Sequence, residues 1–411
     1  MGPLSGLKVI DLTHVMAGPT CTLMLADMGA DVIKIEKNPD GDDTRRSVPP
    51  KIGDEAAAFM MMNRNKRGLV VDLKTEGGKQ VLRRLARQAD VLVENFAPGA
   101  MGRLGLAYED LKADNPGLIY CSLSGFGRTG PYKDRRGFDL VAQAMSGIMS
   151  FTGEAGGPPA KCGPPLSDIT AGILAAMGIL AAYAHRLKTG EGQWVETSLF
   201  EAALVQTYWQ SAIALATDVA PKAMGSGHPL NAPYQAFKAS DRWFVVGGAN
   251  QKNWIRMLDA MGASALADDP RFRTNADRMG NLPALDEELG RIFETQPADH
   301  WLEMFDAAGV PCGPVLDTLQ ALSDPQTIAR KMLVEVEHST LGPVKTIGLP
   351  VKFSQTPGGV RKGAPIFGED TRQILADAGF SAAEVAAFER DGAVVAAQAR
   401  GPTAARAGTA A

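Results

Sequence analysis

The sequence predicts an α/β fold, with a Rossmann-like, doubly wound parallel sheet followed by a smaller α+β module. Three observations lead there. Short apolar runs alternate with helical stretches through the first 130 residues. The chain then turns mostly helical between Asp139 and Thr217. Finally, a Gly- and Pro-bearing loop, Asp218 to Pro233, precedes a segment with strand and helix signals of its own. Strands that alternate with helices form parallel βαβ units, because each return to the sheet needs a crossover.

Lys8 to Leu12 is the first strand candidate, closed by a turn at Ala17-Gly18-Pro19, since glycine and proline punctuate regular structure. Thr20 to Met28 reads as a helix and Asp31 to Glu36 as a second strand. Leu69 to Leu73, Asp90 to Glu94 and Leu118 to Ser122 continue the strands, with helices over Thr75 to Gln88 and Tyr108 to Ala113. No G-x-G-x-x-G follows the first strand, so a dinucleotide is not indicated. Leu140 to Met149 reads as a helix leading into the Gly/Pro-rich Gly153 to Pro165. An apolar helix follows Asp168, Trp194 to Thr197 is a strand, and Ser198 to Ala216 is one further helix. In the smaller module Trp243 to Val246 is a strand, and helices lie around Asn253 to Met261 and Leu285 to Glu294. Gly309 to Val315 makes a tight turn into a strand. Residues 396–411 have almost nothing to bury and are expected to be a disordered tail.

A chain of 411 residues suggests two or three domains at roughly 100–200 residues each. Its composition, 45% hydrophobic and 21% charged, suits a soluble globular protein, and a net charge of −4 gives no basic field for nucleic acid. Met1 to Lys8 holds no long apolar run, so no signal peptide is expected. The apolar stretch Ile169 to Ala184 falls short of the roughly 20 residues of a membrane span. It reads as a helix of the core or of a subunit interface, and no membrane partner is expected. Cys21, Cys121, Cys162 and Cys312 lack metal-ligand spacing and read as reduced thiols of a cytoplasmic protein. The five histidines are scattered likewise, so no metal site is expected. His14 suits a loop or capping role, and His185, near a helix end, suits the helix dipole. No H-E-x-x-H, Walker or G-x-S-x-G motif appears.

Asp168 is the residue that residue types leave open. In Ser167-Asp168-Ile169-Thr170 it stands where a helix N-cap belongs. Glycines precede it (Gly153, Gly156, Gly157, Gly163), so a carboxylate there can be both fixed and reachable, and carboxylates do serve as nucleophiles.

A resemblance runs through almost the whole chain, in order. It begins at Leu4-Ser-Gly-Leu-Lys-Val-Ile-Asp-Leu-Thr-His-Val-Met-Ala-Gly-Pro19 and continues at Gly29-Ala-Asp-Val-Ile-Lys-Ile-Glu36, Asn63-Arg-Asn-Lys-Arg-Gly68, Asp90 to Phe96 and Asn115-Pro116. It goes on through Gly137-Phe-Asp-Leu-Val-Ala-Gln143, Lys188-Thr-Gly-Glu-Gly-Gln193, Gly227-His-Pro229 and Pro233-Tyr-Gln-Ala-Phe237. It closes with Gly309-Val-Pro-Cys-Gly-Pro314 and Ala364-Pro-Ile-Phe-Gly-Glu369. Together these segments resemble the class III CoA transferases, the formyl-CoA-transferase-like or CaiB/BaiF family.

The resemblance implies a Rossmann-like large domain built from both chain ends (1–200 and 326–395), a small domain at 225–325, and two subunits interlocked as a homodimer. It implies that Asp168 is the nucleophile, forming an aspartyl-CoA thioester while CoA moves from an acyl-CoA donor to a carboxylic acid acceptor. CoA esters are then substrates, and no permanently bound cofactor is implied. By position, Met16, Ala17, Lys37, Val71, Lys74, Asn95, Phe96, Ala97, Arg103, Arg136 and Asp139 would hold CoA. Ser226, Gly227 and His228 would belong to a glycine loop over the nucleophile.

Departures from formyl-CoA transferase bear on substrate. Met16 replaces a glutamine near the active site, which disfavours the formate/oxalate pair; His228 replaces a second glutamine, Lys37 an arginine and Arg136 a lysine. The pattern resembles the members that pass CoA from succinyl-CoA to dicarboxylates, with His228 or Arg46 as candidate partners for a distal carboxylate. Two other readings remain: an α-methylacyl-CoA racemase-like isomerase and a CoA-binding protein without catalysis. The first needs a histidine where Phe138 stands.

Overall fold

The computed structural model describes residues 2–397, so the expectation for the tail from residue 398 on lies outside the described residues. The chain divides into two compact units. One comprises Met1–Ser146, Gly163–Gln206 and Leu322–Ala411, the other Gly147–Cys162 and Thr207–Ala321.

The first unit is built on six parallel strands: β1 (Lys8–Asp11), β2 (Asp31–Glu36), β3 (Lys66–Val71), β4 (Val91–Glu94), β5 (Ile119–Ser124) and β6 (Trp194–Ser198). They lie in the order β3-β2-β1-β4-β5-β6, with the short strand Val394–Val395 antiparallel on the outer edge of β3. β3 begins three residues earlier than the apolar run suggests. Lys66 can enter the strand because its ammonium is paired inside the protein.

One face of the sheet carries Glu76–Ala86, Tyr108–Lys112 and the C-terminal helices Thr371–Asp377 and Ala382–Arg390. Val81, Leu85, Leu111, Ile374 and Phe388 close there over Leu12, Leu69 and Leu92. Apolar runs buried on both faces are what parallel strands require.

The remaining helices that position the site are α1 (Ala17–Asp27), α2 (Asp139–Met145), α3 (Leu166–Thr189) and α4 (Leu199–Val205); α5 (Tyr208–Thr217) belongs to the second unit. The expected turn Ala17-Gly18-Pro19 is in fact the first turn of α1. Proline is tolerated there because the first helical N–H groups have no intrahelical partner. The expected helix Leu140–Met149 breaks at Gly147, whose φ of +92° no helix continues. The expected helix Ser198–Ala216 is two helices, divided at Gln206 and Thr207 where the chain leaves the first unit.

α3 is longer than the apolar stretch implied. It runs 24 residues and, among the described helices, is the one long and apolar enough to cross a membrane. Here it is a core helix on one side, with Ala171, Ala175, Ile179 and Ala182 buried, while Ile173, Met177 and Leu187 face outward. It packs against α1 so closely that a Cβ on Gly172 would lie 2.5 Å from the Ala17 carbonyl oxygen. Gly190, with φ +80°, ends it, the common left-handed helix stop.

The second unit has a three-stranded antiparallel sheet, Tyr234–Lys238, Trp243–Gly247 and Cys312–Pro314, with the Trp243–Gly247 strand central. Helices Gln251–Met261, Leu282–Phe293 and Ala298–Ala307 cover it, and Phe244, Trp254, Phe293, Trp301 and Phe305 form its core.

Candidate active site

The strand order reverses between β1 and β4, and the carboxyl ends of strands at such a switch point leave a crevice for ligands. The turn after β1 and the segment after β4 meet there. Asn95 Oδ1 accepts the His14 N–H at 2.9 Å, and its Nδ2 donates to the His14 carbonyl at 2.9 Å. The Phe96 and His14 rings lie 5.7 Å apart.

A buried charge cluster underlies this turn. Lys34 of β2 donates to Asp42 Oδ2 at 2.8 Å and to the Thr13 carbonyl. Lys66 of β3 donates to Asp11 Oδ2 at 2.9 Å, Thr22 Oγ1 at 2.8 Å and Asn63 Oδ1 at 3.0 Å. Burial pushes the Asp11 carboxyl up, but Lys34 and Lys66, with the hydroxyls of Thr13 and Thr22, outweigh it and hold the group down at about 2. Burial, reinforced by the Lys34 charge, lowers His14 to about 4, so its imidazole is neutral at pH 7.

Val15 carries a φ of +70°, a region that costs a β-branched residue about 1–3 kcal/mol. The neighbouring pins hold it: Asn95 on His14, and Asp42 Oδ1 accepting the Val15 N–H at 3.2 Å. The turn therefore delivers Met16 and Ala17 rigidly to the start of α1, where no side chain caps the helix.

Asp168 does not cap its helix, contrary to the sequence expectation. Pro165 is the N-cap, and Asp168 lies within the first turn of α3. The cap comes from a distant residue: Asp139 Oδ1 accepts the Ser167 N–H at 2.9 Å. Asp168 is thereby released from capping, and its carboxylate accepts no hydrogen bond from any described residue. Burial, and then the charge of Asp139, raises it to about 7. Gly172, one helical turn further on, touches Ala17, so Asp168 stands beside the amino end of α1. A mostly buried, unpartnered carboxylate that titrates near neutrality is the form expected of a reacting group.

Comparison with known proteins gives the family. The family model described as CoA-transferase family III matches residues 4–371. The acetyl-CoA:oxalate CoA-transferase of Acetobacter aceti is 45% identical over 356 residues, covering 86% of this chain and 90% of that protein. The human (Homo sapiens) succinyl-CoA:glutarate CoA-transferase is 36% identical over 373 residues, covering 91% and 85%. The crystal structure of a CaiB/BaiF family protein from Brucella suis superposes with a TM-score of 0.82 at 38% identity, covering 92% of this chain and 99% of that one. The chain belongs to CoA-transferase family III.

Within this family frame, the residues that the resemblance assigns to CoA fall into distinct settings. Met16, Ala17, Asn95 and Phe96 gather at the switch point, with Ala97 exposed just beyond. Val71 ends β3 with its side chain in the core, so only its backbone and the exposed Lys74 after it can face a nucleotide. Lys37 is exposed and paired with Asp43 at 2.7 Å. Arg103, on the short helix Ala100–Leu104, is exposed, its guanidinium 3.4 Å from the Pro98 carbonyl. Arg136 is exposed and forms no ion pair among the described residues, which leaves its charge available to a phosphate. Both oxygens of Asp139 are engaged within the protein, Oδ2 accepting from Gln143 Nε2 at 2.7 Å. Arg46, considered for a distal carboxylate, is held by Asp43 at 2.6 Å and Asp40 at 3.6 Å.

Ser226, Gly227 and His228 belong to the second unit and form a hydrogen-bonded turn. Ser226 Oγ accepts the Ala236 N–H at 3.0 Å, and the Gly227 N–H donates to the Met224 carbonyl at 3.0 Å. His228 Nδ1 accepts the Leu230 N–H at 3.1 Å. Its ring lies edge-on to Trp209 and Tyr234.

The buried lysines and the Asp139 cap escaped sequence reasoning. A trace of the first existed: Lys34 and Glu36 alternate with Ile33 and Ile35 in a strand otherwise apolar enough to be central.

Proposed function

We propose that this enzyme passes CoA from succinyl-CoA, or another short acyl-CoA, to a dicarboxylic acid by way of a thioester on Asp168. The observation that carries the reading is Asp168 itself, mostly buried, without a hydrogen-bonding partner among the described residues and raised to about 7. Ionised Asp168 attacks the donor thioester carbonyl. The C–S bond breaks, giving a mixed anhydride and CoA thiolate. The thiolate attacks the aspartyl carbonyl, the anhydride C–O bond breaks, and the donor acid leaves as a carboxylate. The acceptor carboxylate then retraces both steps and regenerates Asp168. Thioester energy is kept throughout, so the sequence of steps calls for neither ATP nor a Lewis acid.

The acids after which the relatives are named support a dicarboxylate acceptor, and they include oxalate as well as glutarate. Incubation with succinyl-CoA or acetyl-CoA and a panel of such acids, followed by mass analysis of CoA esters, tests the class. Absence of any new ester across the panel overturns it. Hydroxylamine should inactivate only in the presence of acyl-CoA, by trapping the aspartyl thioester.

The enzyme is also proposed to work as a homodimer. Supporting this, α5 buries none of its ten residues within one chain, with Leu215 89% exposed and Tyr208 71%. An isolated apolar helix of that length is not stable in water. A monomeric mass in sedimentation at nanomolar concentration overturns the dimer. The four free thiols suit the reducing cytoplasm proposed as its location.

A further inference from the structure

Asp139 opens α2 and reaches across 28 residues of sequence to the first turn of α3. No local side chain caps that turn, so the Ser167 N–H depends on Asp139 Oδ1, while Gln143 holds Oδ2 and fixes the carboxylate plane. The next residue is Asp168. A cap alone does not require an anion, since Asn or Ser would serve. An anion here adds something a neutral cap cannot: a like charge beside the nucleophile.

We infer that Asp139 is a positioning residue for Asp168, its carboxylate fixing the turn that carries the nucleophile and its charge favouring acylated Asp168 over the free carboxylate. This rests on Asp168 being the nucleophile. In the exchange, Asp168 carboxylate plus acyl-CoA becomes aspartyl-CoA thioester plus free carboxylate. The negative charge therefore leaves with the donor acid, and the repulsion from Asp139 is relieved. Burial is the first cause of the raised pKa of Asp168, and the same repulsion adds to it, acting on a proton instead of an acyl group.

The other titratable groups on elements packed against α3 are accounted for. Asp27 on α1 is paired with Arg64 and Asn65, and Glu201 on α4 accepts from Ser198. Burial raises the thiols of Cys21 on α1 and Cys121 on β5 and the Tyr120 phenol on β5, which keeps them neutral. Glu196 on β6 is exposed. Among charged groups, Asp139 is the one that acts on Asp168.

Asp139→Asn keeps the Oδ1 acceptor and removes the charge, while Asp139→Ala removes both. With succinyl-CoA and succinate at fixed ratio and pH 8, the ratio of aspartyl-CoA adduct to free enzyme, read by intact-protein mass, should fall about tenfold in Asp139→Asn. The pH midpoint of transfer should fall by about one pH unit in the same variant. KM for the CoA ester should stay within about threefold. Asp139→Ala should lose a further tenfold or so in kcat, and Asp139→Glu should recover the pH midpoint. A wild-type adduct ratio and pH midpoint in Asp139→Asn overturns the inference. So does a raised KM at unchanged kcat, which would make Asp139 a CoA contact. The underlying reading fails differently: an adduct that persists in Asp168→Ala moves the nucleophile elsewhere whatever Asp139 does.

Discussion

Asp11 and Asp168 are carboxylates of the same unit, both withdrawn from water, and they are opposites. Asp11 ends β1 with an ammonium at 2.9 Å and two hydroxyls upon it, and stays ionised down to about pH 2. Asp168 has no hydrogen-bonding partner among the described residues and a second carboxylate for company, and titrates near 7. Burial alone pushes both upward; the neighbours decide the outcome. Asp11 is compensated in place and can only stabilise. Asp168 is left uncompensated, as a group must be if substrate is to supply its missing partner. The structural carboxylate and the one proposed to react are thus told apart by what is withheld.

The largest expected effect breaks this contrast at its reactive end. Asp168→Ala and Asp168→Asn should lower transfer by at least about 10³-fold while CoA-ester affinity, by calorimetry, stays within a few-fold. In the wild type, kcat/KM should rise with pH through about 7, because only the ionised carboxylate attacks. Transfer near the wild-type rate in Asp168→Ala removes the residue from the mechanism.

Removing a compensating charge at the other end should cost stability. Lys66→Met leaves Asp11 buried without its nearest cation, a loss of roughly 3–5 kcal/mol for a broken buried pair, readable from the urea midpoint. The pH dependence separates the two carboxylates. The Asp11 pKa is depressed, so its contribution holds above about 3.8 and is lost as pH falls through about 2. The Asp168 pKa is raised, so its contribution is present below 3.8 and lost as pH rises through about 7. Asp168→Asn should therefore gain stability on the wild type above pH 7, and Lys66→Met should not. Equal urea midpoints for Lys66→Met and wild type would mean that the cluster holds nothing together.

Much of this was legible in the sequence because apolar periodicity is local. Lys8–Asp11, Asp31–Glu36 and Val91–Glu94 lie within a residue of their apolar runs. Asp168 stood out through its segment rather than its surroundings. What stayed hidden depends on long-range pairing. Lys66 lies in a strand only because Asp11, 55 residues away, compensates it. The capping of α3 was misassigned to Asp168 because the residue that accepts the Ser167 N–H, Asp139, lies 28 residues before Ser167. Turn chemistry misled for a related reason: Ala17-Gly18-Pro19 has the composition of a turn. Gly18 is there because a Cβ would lie 2.3 Å from the Thr13 side chain, and Pro19 because a first helical turn accepts it.

A smaller effect tests the rim of the site, away from either carboxylate. Arg103→Ala should raise KM for the CoA ester about three- to tenfold with kcat within about twofold. A phosphate contact remote from the thioester binds ground and transition states alike. Loss of kcat at unchanged KM would place Arg103 nearer the chemistry.

The last expected effect is none at all, and it decides between attack at a carbonyl and removal of a neighbouring proton. A carboxylate that titrates near 7 could serve either chemistry, so the Asp168 pKa does not choose. Racemising a 2-methylacyl-CoA takes a proton from one face of the α-carbon and returns one to the other, which needs two groups titrating near neutrality. Phe138 stands where the second would be, 75% exposed and without an ionisable atom. His14, the histidine at the switch point, is lowered to about 4, too weak a base for the task. In D₂O with (S)-2-methylacyl-CoA, NMR should therefore show no deuterium entering the α-position above the uncatalysed rate, because transfer acts at the carbonyl and leaves that carbon untouched. Rapid incorporation that depends on Asp168, with no CoA passed to any added acid, would make the enzyme an isomerase and Asp168 its base.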